Sequence, residues 1–117
     1  MNAMECKFFE AELSILRKLD HPNILRIFEV FEDKVNYFLV MEFCSGIELF
    51  EAIQQKNRFS EYEAAQILRQ LLQAIAYCHS LGVVHRDLKP ENIIYDEGND
   101  NALKVIDFGT SVEYDKK

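Results

Sequence analysis

The pattern of apolar positions first predicts an amphipathic helix over about residues 5–19, where Phe8, Ile15 and Leu19 recur at helical spacing. With a turn of about 100° per residue, Glu12 falls inside this apolar arc. A carboxylate that points into a core is costly unless a cation meets it. Glu12 therefore either has a cationic partner or leans out to water at the edge of the face, and spacing alone leaves both interpretations open.

A second and longer amphipathic helix is predicted over about residues 61–81. It begins with a capping box, in which the side chains of Ser60 and Glu63 satisfy two backbone amides that would otherwise lack partners. Gly82 follows the helix and is suited to end it. Its buried stripe is predicted to comprise Ala64, Ile67, Leu68, Leu71, Ile75 and Cys78.

Strand-like segments lie on both sides of the second helix. Residues 24–31 and 37–42 are rich in β-branched and aromatic residues and predict an antiparallel hairpin, and a short helix is expected over about residues 47–55. After Gly82 the short apolar runs are interrupted by a charged loop and a polar turn. They predict strands at residues 83–84, 92–95 and 102–106. Helices and antiparallel strands together indicate an α+β fold.

Composition narrows the class of protein. The chain has 117 residues, 49% of them hydrophobic and 28% charged, as expected of one soluble globular domain. A net charge of −7 disfavours nucleic acid as a partner, and no apolar run approaches the ~20 residues needed to span a membrane. The first residues lack the pattern of a signal peptide. Three scattered cysteines suggest reduced thiols, which favours a cytoplasmic or nuclear location.

The charged loop carries the residues most suited to chemistry. Asp87 can accept a proton, Lys89 supplies a positive charge, and Asn92 and Asp107 offer the hard oxygen ligands that Mg²⁺ prefers. Phosphoryl transfer requires such a set, because the reaction depends mainly on positioning and on neutralising charge around a triphosphate. Each residue alone has an ordinary explanation as a turn or surface residue, but the eight-residue string 85–92 followed by Asp-Phe-Gly at 107–109 is a strong signal.

These motifs resemble the eukaryotic serine/threonine protein kinase domain, and the likeness covers about residues 9–111. The resemblance implies that Asp87 is the catalytic base, that Lys89 supports the γ-phosphate, and that Asn92 and Asp107 bind Mg²⁺. It implies a partial kinase fold with an N-lobe part at about residues 5–42, a hinge at 43–46 and the start of the C-lobe at 47–117. ATP and Mg²⁺ are the implied cofactors.

The resemblance also assigns a nucleotide-binding side. Residues 37–44 are similar to the strand and hinge that hold adenine, with Met41 as the gatekeeper and the backbones of Glu42 and Cys44 facing the base edge. Glu48 matches the acidic position that meets the ribose or a substrate arginine, and Ile94 matches the residue beneath the adenine ring.

Two further acidic positions match the family. Glu12 lies ten residues before Pro22, as does the helix glutamate that pairs with the ATP-binding lysine. Glu91 matches a position that often meets a basic residue of the substrate, so a basic Ser/Thr-containing protein is the implied substrate. The segments 20–24, 31–34 and 48–50 are most like those of calcium-dependent and calmodulin-dependent kinases.

The sequence also departs from the family pattern. No glycine-rich loop or lysine-bearing strand precedes Glu12, no activation segment follows Ser111, and Ile47 stands where a second glycine is usual. We expect this chain alone to have negligible kinase activity and marginal stability. The leading interpretation is therefore part of a serine/threonine kinase. The alternative is a truncated pseudokinase that binds a protein partner through the exposed apolar face of the 61–81 helix.

Overall fold

A computed structural model of the chain describes residues 3–107 and 112–113, with the side chains of residues 3–9, 11 and 112 left undescribed. Three α-helices occur in this part of the chain: α1 (Ala3–Lys18), α2 (Leu49–Lys56) and α3 (Glu61–Ser80). Among the described residues, no helix is both long and apolar enough to cross a bilayer. The two long helices lie where apolar periodicity predicts them.

Seven short strands lie among the described residues, and they form small antiparallel sheets. The strands are β1 (Ile27–Glu32), β2 (Tyr37–Met41), β3 (Ile47–Glu48), β4 (Val83–Val84), β5 (Ile93–Asp96), β6 (Ala102–Val105) and β7 (Val112–Glu113). The first sheet is the expected hairpin, and the second has the order β3-β5-β6, with a 3₁₀ turn at Pro90–Asn92 leading into β5. The third joins β4 to β7, a strand that sequence patterns do not predict. The α+β prediction is confirmed.

The segment between α1 and β1 is bonded to α3 and to β6. Asn23 is buried, and its side-chain amide donates hydrogen bonds to Oε1 of Gln70 and to the carbonyl of Leu103, both at 2.9 Å. The backbone amide of Val105 donates to the Asn23 carbonyl at 2.8 Å. Helix α1 is therefore attached through its C-terminal connection to both α3 and β6.

Helix α3 has the predicted capping box and ends at Ser80, two residues before Gly82, whose positive φ of 75° few other residues adopt. Its predicted apolar stripe is partly wrong. Leu68 is 54% exposed and Ala64 is exposed, because the packed face is rotated towards β4 and β6. That face comprises Ile67, Leu71, Ala74 and Cys78.

The prediction of a helix over residues 47–55 is wrong at its start. Ile47 and Glu48 instead form a short strand paired with β5, and the helix begins at Leu49. Gly46 allows this pairing because a Cβ at that position would lie well inside contact distance of the Tyr95 carbonyl oxygen. Close approach of two backbones therefore overrides the local helical pattern.

Candidate active site

The loop between β4 and β5 is organised around the buried side chain of Asn92. Its amide nitrogen donates to the backbone carbonyl of Asp87 at 2.9 Å and to the Asp87 carboxylate at 3.1 Å. The backbone amide of Asn92 donates to the carbonyl of Lys89 at 2.9 Å, which closes the 3₁₀ turn. The proposed base and one proposed metal ligand are thus held in direct contact.

Asp107 is brought to the same place by backbone pairing. The amide of Ile106 donates to the carbonyl of Asn92 at 2.9 Å, so the residue that follows, Asp107, lies beside the end of the loop. Asp107 is exposed and has a φ of 57°, a left-handed conformation that aspartate tolerates better than most residues. The antiparallel β5–β6 pair therefore sets the relation between Asn92 and Asp107.

His85 connects the loop to the strand that carries Asp107. The ring is buried; its Nδ1 accepts a hydrogen bond from the amide of Asp87 at 3.1 Å, and its Nε2 lies 2.9 Å from the carbonyl of Ile106. Because a backbone N–H can only donate, Nδ1 must be unprotonated, so Nε2 carries the hydrogen and donates it to Ile106. The neutral Nε2–H form of His85 satisfies both contacts.

Lys89 lies close to the base but is not tightly bound to it. Its ammonium group is 3.7 Å from the Asp87 carboxylate, and both side chains are partly exposed. An exposed ion pair at that distance contributes little to stability. The Lys89 side chain is therefore available to turn towards a phosphate group placed next to Asp87.

The residues at this site fit a Mg²⁺ ion that also binds phosphate oxygens. Because the Asn92 amide nitrogen donates to Asp87, the amide oxygen is left as an acceptor, and Asp107 adds an exposed carboxylate. The described residues contain no cluster of three or more His, Cys, Asp or Glu side chains able to hold a metal alone. Mg²⁺ commonly takes one or two protein ligands and completes its shell with phosphate and water oxygens.

Glu12 on α1 is half-buried and lies near Asp107. Burial raises the pKa of the Glu12 carboxyl above its ordinary value, and the negative charge of Asp107 raises it further. Among the side chains that the structure describes, none forms an ion pair with Glu12. Two carboxylates thus approach each other in a place where a cation would be strongly favoured.

The residues predicted to hold adenine lie between the end of the β1–β2 hairpin and the start of β3. Met41, the predicted gatekeeper, is 43% exposed at the end of β2. The amide of Glu42 donates to the carbonyl of Arg26 at 2.8 Å, and its carboxylate pairs with Lys104 at 2.6 Å. Cys44 is half-buried, and burial raises the pKa of its thiol, so it is a poor nucleophile at neutral pH.

Glu48 and Ile94 occupy one face of the β3–β5 pair. They are directly opposite each other in the register, and partners in an antiparallel pair project to the same side. Ile47 pairs with Tyr95 and so projects to the other side. Although Ile47 stands where a glycine is usual in the family pattern, its side chain therefore does not project to the face that carries Glu48 and Ile94.

Sequence reasoning missed the polar residues that hold these elements together. Oε1 of Gln70 accepts a hydrogen bond from the side-chain amide of Asn23 and another from the backbone amide of Leu103 at 3.0 Å. In the sequence, Lys104 looks like any other lysine of a strand. Its only sequence signal is that it alternates with the apolar residues Leu103 and Val105, which predicts a different face but no partner.

Comparison with known proteins agrees with the motifs. Residues 2–117 match the family described as the protein kinase domain. The chain is 48% identical over 99 residues to calcium-dependent protein kinase 5 of Plasmodium berghei (strain Anka), covering 84% of this chain and 18% of that protein.

Two further relatives carry the same kind of name. The Plasmodium falciparum (isolate 3D7) calcium-dependent protein kinase 5 is 48% identical over 84% of this chain and 17% of its own length. The Arabidopsis thaliana calcium-dependent protein kinase 4 is 50% identical over 88% of this chain and 21% of its own length. The chain thus spans about a fifth of the length of these curated relatives. By its motifs, its fold and its relatives, this chain belongs to the protein kinase family.

Proposed function

We propose that this chain supplies the catalytic loop, the metal-binding end and part of the nucleotide-binding edge of a serine/threonine protein kinase. The observation that carries the proposal is the contact of Asn92 with Asp87, at 2.9 and 3.1 Å, next to the strand that leads to Asp107. This arrangement places a candidate base, Asp87, near two candidate Mg²⁺ ligands, Asn92 and Asp107. The transfer of a phosphoryl group from a triphosphate to a hydroxyl requires such a set of residues.

The proposed reaction assigns one task to each residue. The substrate hydroxyl gives its proton to Asp87 as its oxygen bonds to the γ-phosphorus, and the bond from that phosphorus to the β–γ bridging oxygen breaks to release ADP. Lys89 neutralises charge on the γ-phosphate. Asn92 and Asp107 would hold Mg²⁺, which, when bound, offsets the charge of the phosphate oxygens.

The nucleotide and the protein substrate are assigned to the two sides of this centre. We propose that ATP places its adenine against the backbones of Glu42 and Cys44, beside Met41 and above Ile94, with its ribose near Glu48. The acidic side chains of Glu48 and Glu91 suit a basic Ser/Thr-containing substrate. Glu91 is exposed immediately beside the buried Asn92, which supports this orientation.

Glu12 limits what the 117 residues can do by themselves. In the described part of the chain no cation pairs with this half-buried carboxylate, whose pKa is raised by burial and by Asp107. A lysine in that place would both neutralise Glu12 and hold the triphosphate. We therefore propose that the chain alone has negligible phosphotransfer activity.

The catalytic assignment can be tested in a chimera. The segment of the Plasmodium falciparum kinase that aligns with this chain is replaced by the chain, and phosphorylation of a basic Ser/Thr peptide is measured. We expect an active chimera, and Asp87→Asn should lower kcat at least ~10²-fold because the general base is lost. Asp100→Asn, in an exposed turn, is the matched control and should leave kcat unchanged. A folded chimera without activity, or full activity in Asp87→Asn, would contradict the assignment.

A protein-binding module is the second candidate function. It is favoured by an apolar strip on the outer face of α3, where Leu68 and Leu72 are 54% and 55% exposed. Large apolar side chains on one helix face are typical of contact surfaces. If binding is the main role, Leu68→Glu with Leu72→Glu should abolish partner capture, whereas Asp87→Asn should have no effect on it. If catalysis is the main role, Asp87→Asn should abolish phosphorylation in the chimera, whereas Leu68→Glu with Leu72→Glu should affect it less.

A further inference from the structure

The carboxylate of Glu42 joins the predicted hinge to two other elements. Its Oε2 accepts a hydrogen bond from Lys104 Nζ at 2.6 Å, and its Oε1 accepts one from the backbone amide of Arg26 at 3.2 Å. The backbone amide of Glu42 also donates to the Arg26 carbonyl at 2.8 Å. Glu42, the residue before the hinge at 43–46, is therefore fixed at one side to the segment before β1 and at the other side to β6.

Lys104 occupies a particular position in β6. In the antiparallel β5–β6 register it is directly opposite Ile94, so the two side chains project to the same face of the sheet. Ile94 is the residue assigned to the floor of the adenine site, and Glu42 belongs to its edge. Lys104 therefore lies beside Ile94 at the floor of the proposed adenine site and forms a hydrogen bond with Glu42 at its edge.

A cavity lies next to the hinge on the side of the ion pair. Its volume is about 240 Å³, and it is also lined by Pro22, Cys44 and Ser45. The Lys104 and Glu42 side chains are only 21% and 27% exposed, so water screens their attraction less than it does that of a surface pair. The charge-assisted hydrogen bond from Lys104 to Glu42 is thus a direct contact between this side of the hinge and β6, whereas Ser45 Oγ holds the other end of the hinge to Asp96 of β5.

We propose that Lys104 is a positioning residue for the nucleotide: through its ion pair with Glu42 it keeps the adenine-binding edge of the hinge at a fixed distance from Ile94. It does not touch the nucleotide itself. The inference rests on the proposed ATP site, because only a bound base would use that spacing. A preorganised edge binds more tightly because less freedom is lost when the ligand arrives.

The test compares three variants of this chain. Lys104→Met keeps the length of the side chain and removes its charge, and Lys104→Arg restores the charge. Lys34→Met, at an exposed lysine of the β1–β2 turn, is the control for loss of one positive charge. Amide hydrogen exchange is followed at residues 42–46, and the dissociation constant of Mg·ATP is measured by calorimetry for each variant.

In Lys104→Met we expect faster exchange at residues 42–46 and an ATP dissociation constant raised roughly 3- to 10-fold by the loss of preorganisation. Lys104→Arg should recover both values at least partly, and Lys34→Met should change neither. Exchange in α3 reports whether the fold is intact. If Lys104→Met does not fold, Glu42→Gln removes the other charge of the same pair and is expected to give the same two changes.

Each contrary result has a distinct meaning. Unchanged exchange at residues 42–46 in Lys104→Met would overturn the inference, since the pair would not hold the hinge. Faster exchange with an unchanged ATP dissociation constant would also overturn it, because the hinge would move without affecting the nucleotide. If the unaltered chain fails to bind Mg·ATP, the nucleotide part of the proposed function fails first, and the positioning role fails with it.

Discussion

The carboxylates of Glu12 and Asp107 lie close enough that the negative charge of Asp107 raises the pKa of Glu12. Glu12 comes from α1 and Asp107 lies two residues after the end of β6, and each carboxylate is suited to bind a cation rather than another acid. Half-burial makes the ionised form of Glu12 still less favourable. Such a cost is common at functional sites, where charges are arranged for a ligand rather than for the stability of the empty protein.

Replacing Glu12 by glutamine should therefore stabilise the chain at neutral pH. The pKa of Glu12 in the folded state is raised above its ordinary value of 4.5, so the folded state binds more protons than the unfolded state in the window just above 4.5. The free energy of unfolding then falls as pH rises through that window. In urea titrations, Glu12→Gln should be more stable than the unaltered chain at pH 7 and equal to it near pH 4.

Glu10→Gln, at an exposed position on the same helix, is the control for the loss of one negative charge. A Glu12→Gln variant that is less stable than the unaltered chain at pH 7 would mean that a cation already pairs with Glu12.

A second residue-scale prediction concerns Gly46. Its backbone lies so close to the Tyr95 carbonyl that a Cβ cannot be accommodated, and the β3–β5 pairing depends on that approach. Gly46→Ala should lower the free energy of unfolding by about 1–3 kcal/mol through overpacking. The control is Gly98→Ala, whose Cβ would meet only the Asp96 carboxylate at an ordinary 3.5 Å. Equal stabilities of the two variants in urea would show that β3 does not form.

At the scale of elements, α3 is held at its start by more than its cap. Ser60 Oγ accepts from the Glu63 amide at 3.1 Å, and the Glu63 carboxylate also binds Lys56 at the end of α2. Lys56 in addition pairs with Glu97 of the β5–β6 turn at 2.7 Å. Glu63 and Lys56 therefore link α2, α3 and the β5–β6 turn in one polar cluster.

Removing the cap should loosen the start of α3. Ser60→Ala is expected to cost about 1 kcal/mol of the free energy of unfolding, the usual value for a lost N-cap. The exposed Ser14→Ala in the middle of α1 serves as control and should be neutral or slightly stabilising, because alanine is the better helix former. Hydrogen exchange at residues 61–64 should accelerate in Ser60→Ala alone. Unaltered exchange there would show that the polar cluster holds the helix without its cap.

At the scale of the whole molecule, local signals predicted the elements and the motif strings indicated the candidate site, but neither predicted the orientation of elements. The capping box and Gly82 give both ends of α3, since they act within one helix. The exposed Leu68 was misplaced because the buried face of α3 is chosen by β4 and β6, which are distant in sequence.

The same reason explains what was missed at the site. Asp87, Asn92 and Asp107 stand in recognisable strings, whereas Lys104 and Gln70 matter only through partners that lie 62 and 47 residues away. Glu12 is an intermediate case. Periodicity places it on the apolar arc of α1, but its proximity to Asp107 depends on how the connection through Asn23 attaches α1 to β6.

The central claim is that the chain carries a Mg·ATP site built on Asp107 and Asn92, and thermal unfolding with and without nucleotide tests it most directly. A ligand at about ten times its dissociation constant adds about 1.4 kcal/mol to the free energy of unfolding, or several degrees in melting temperature for a domain of this size. With ATP at about 10 mM and Mg²⁺ in excess, we expect such a rise for a dissociation constant of about 1 mM. Asp107→Asn should abolish it. No rise in the unaltered chain, or an equal rise in Asp107→Asn, would contradict the account.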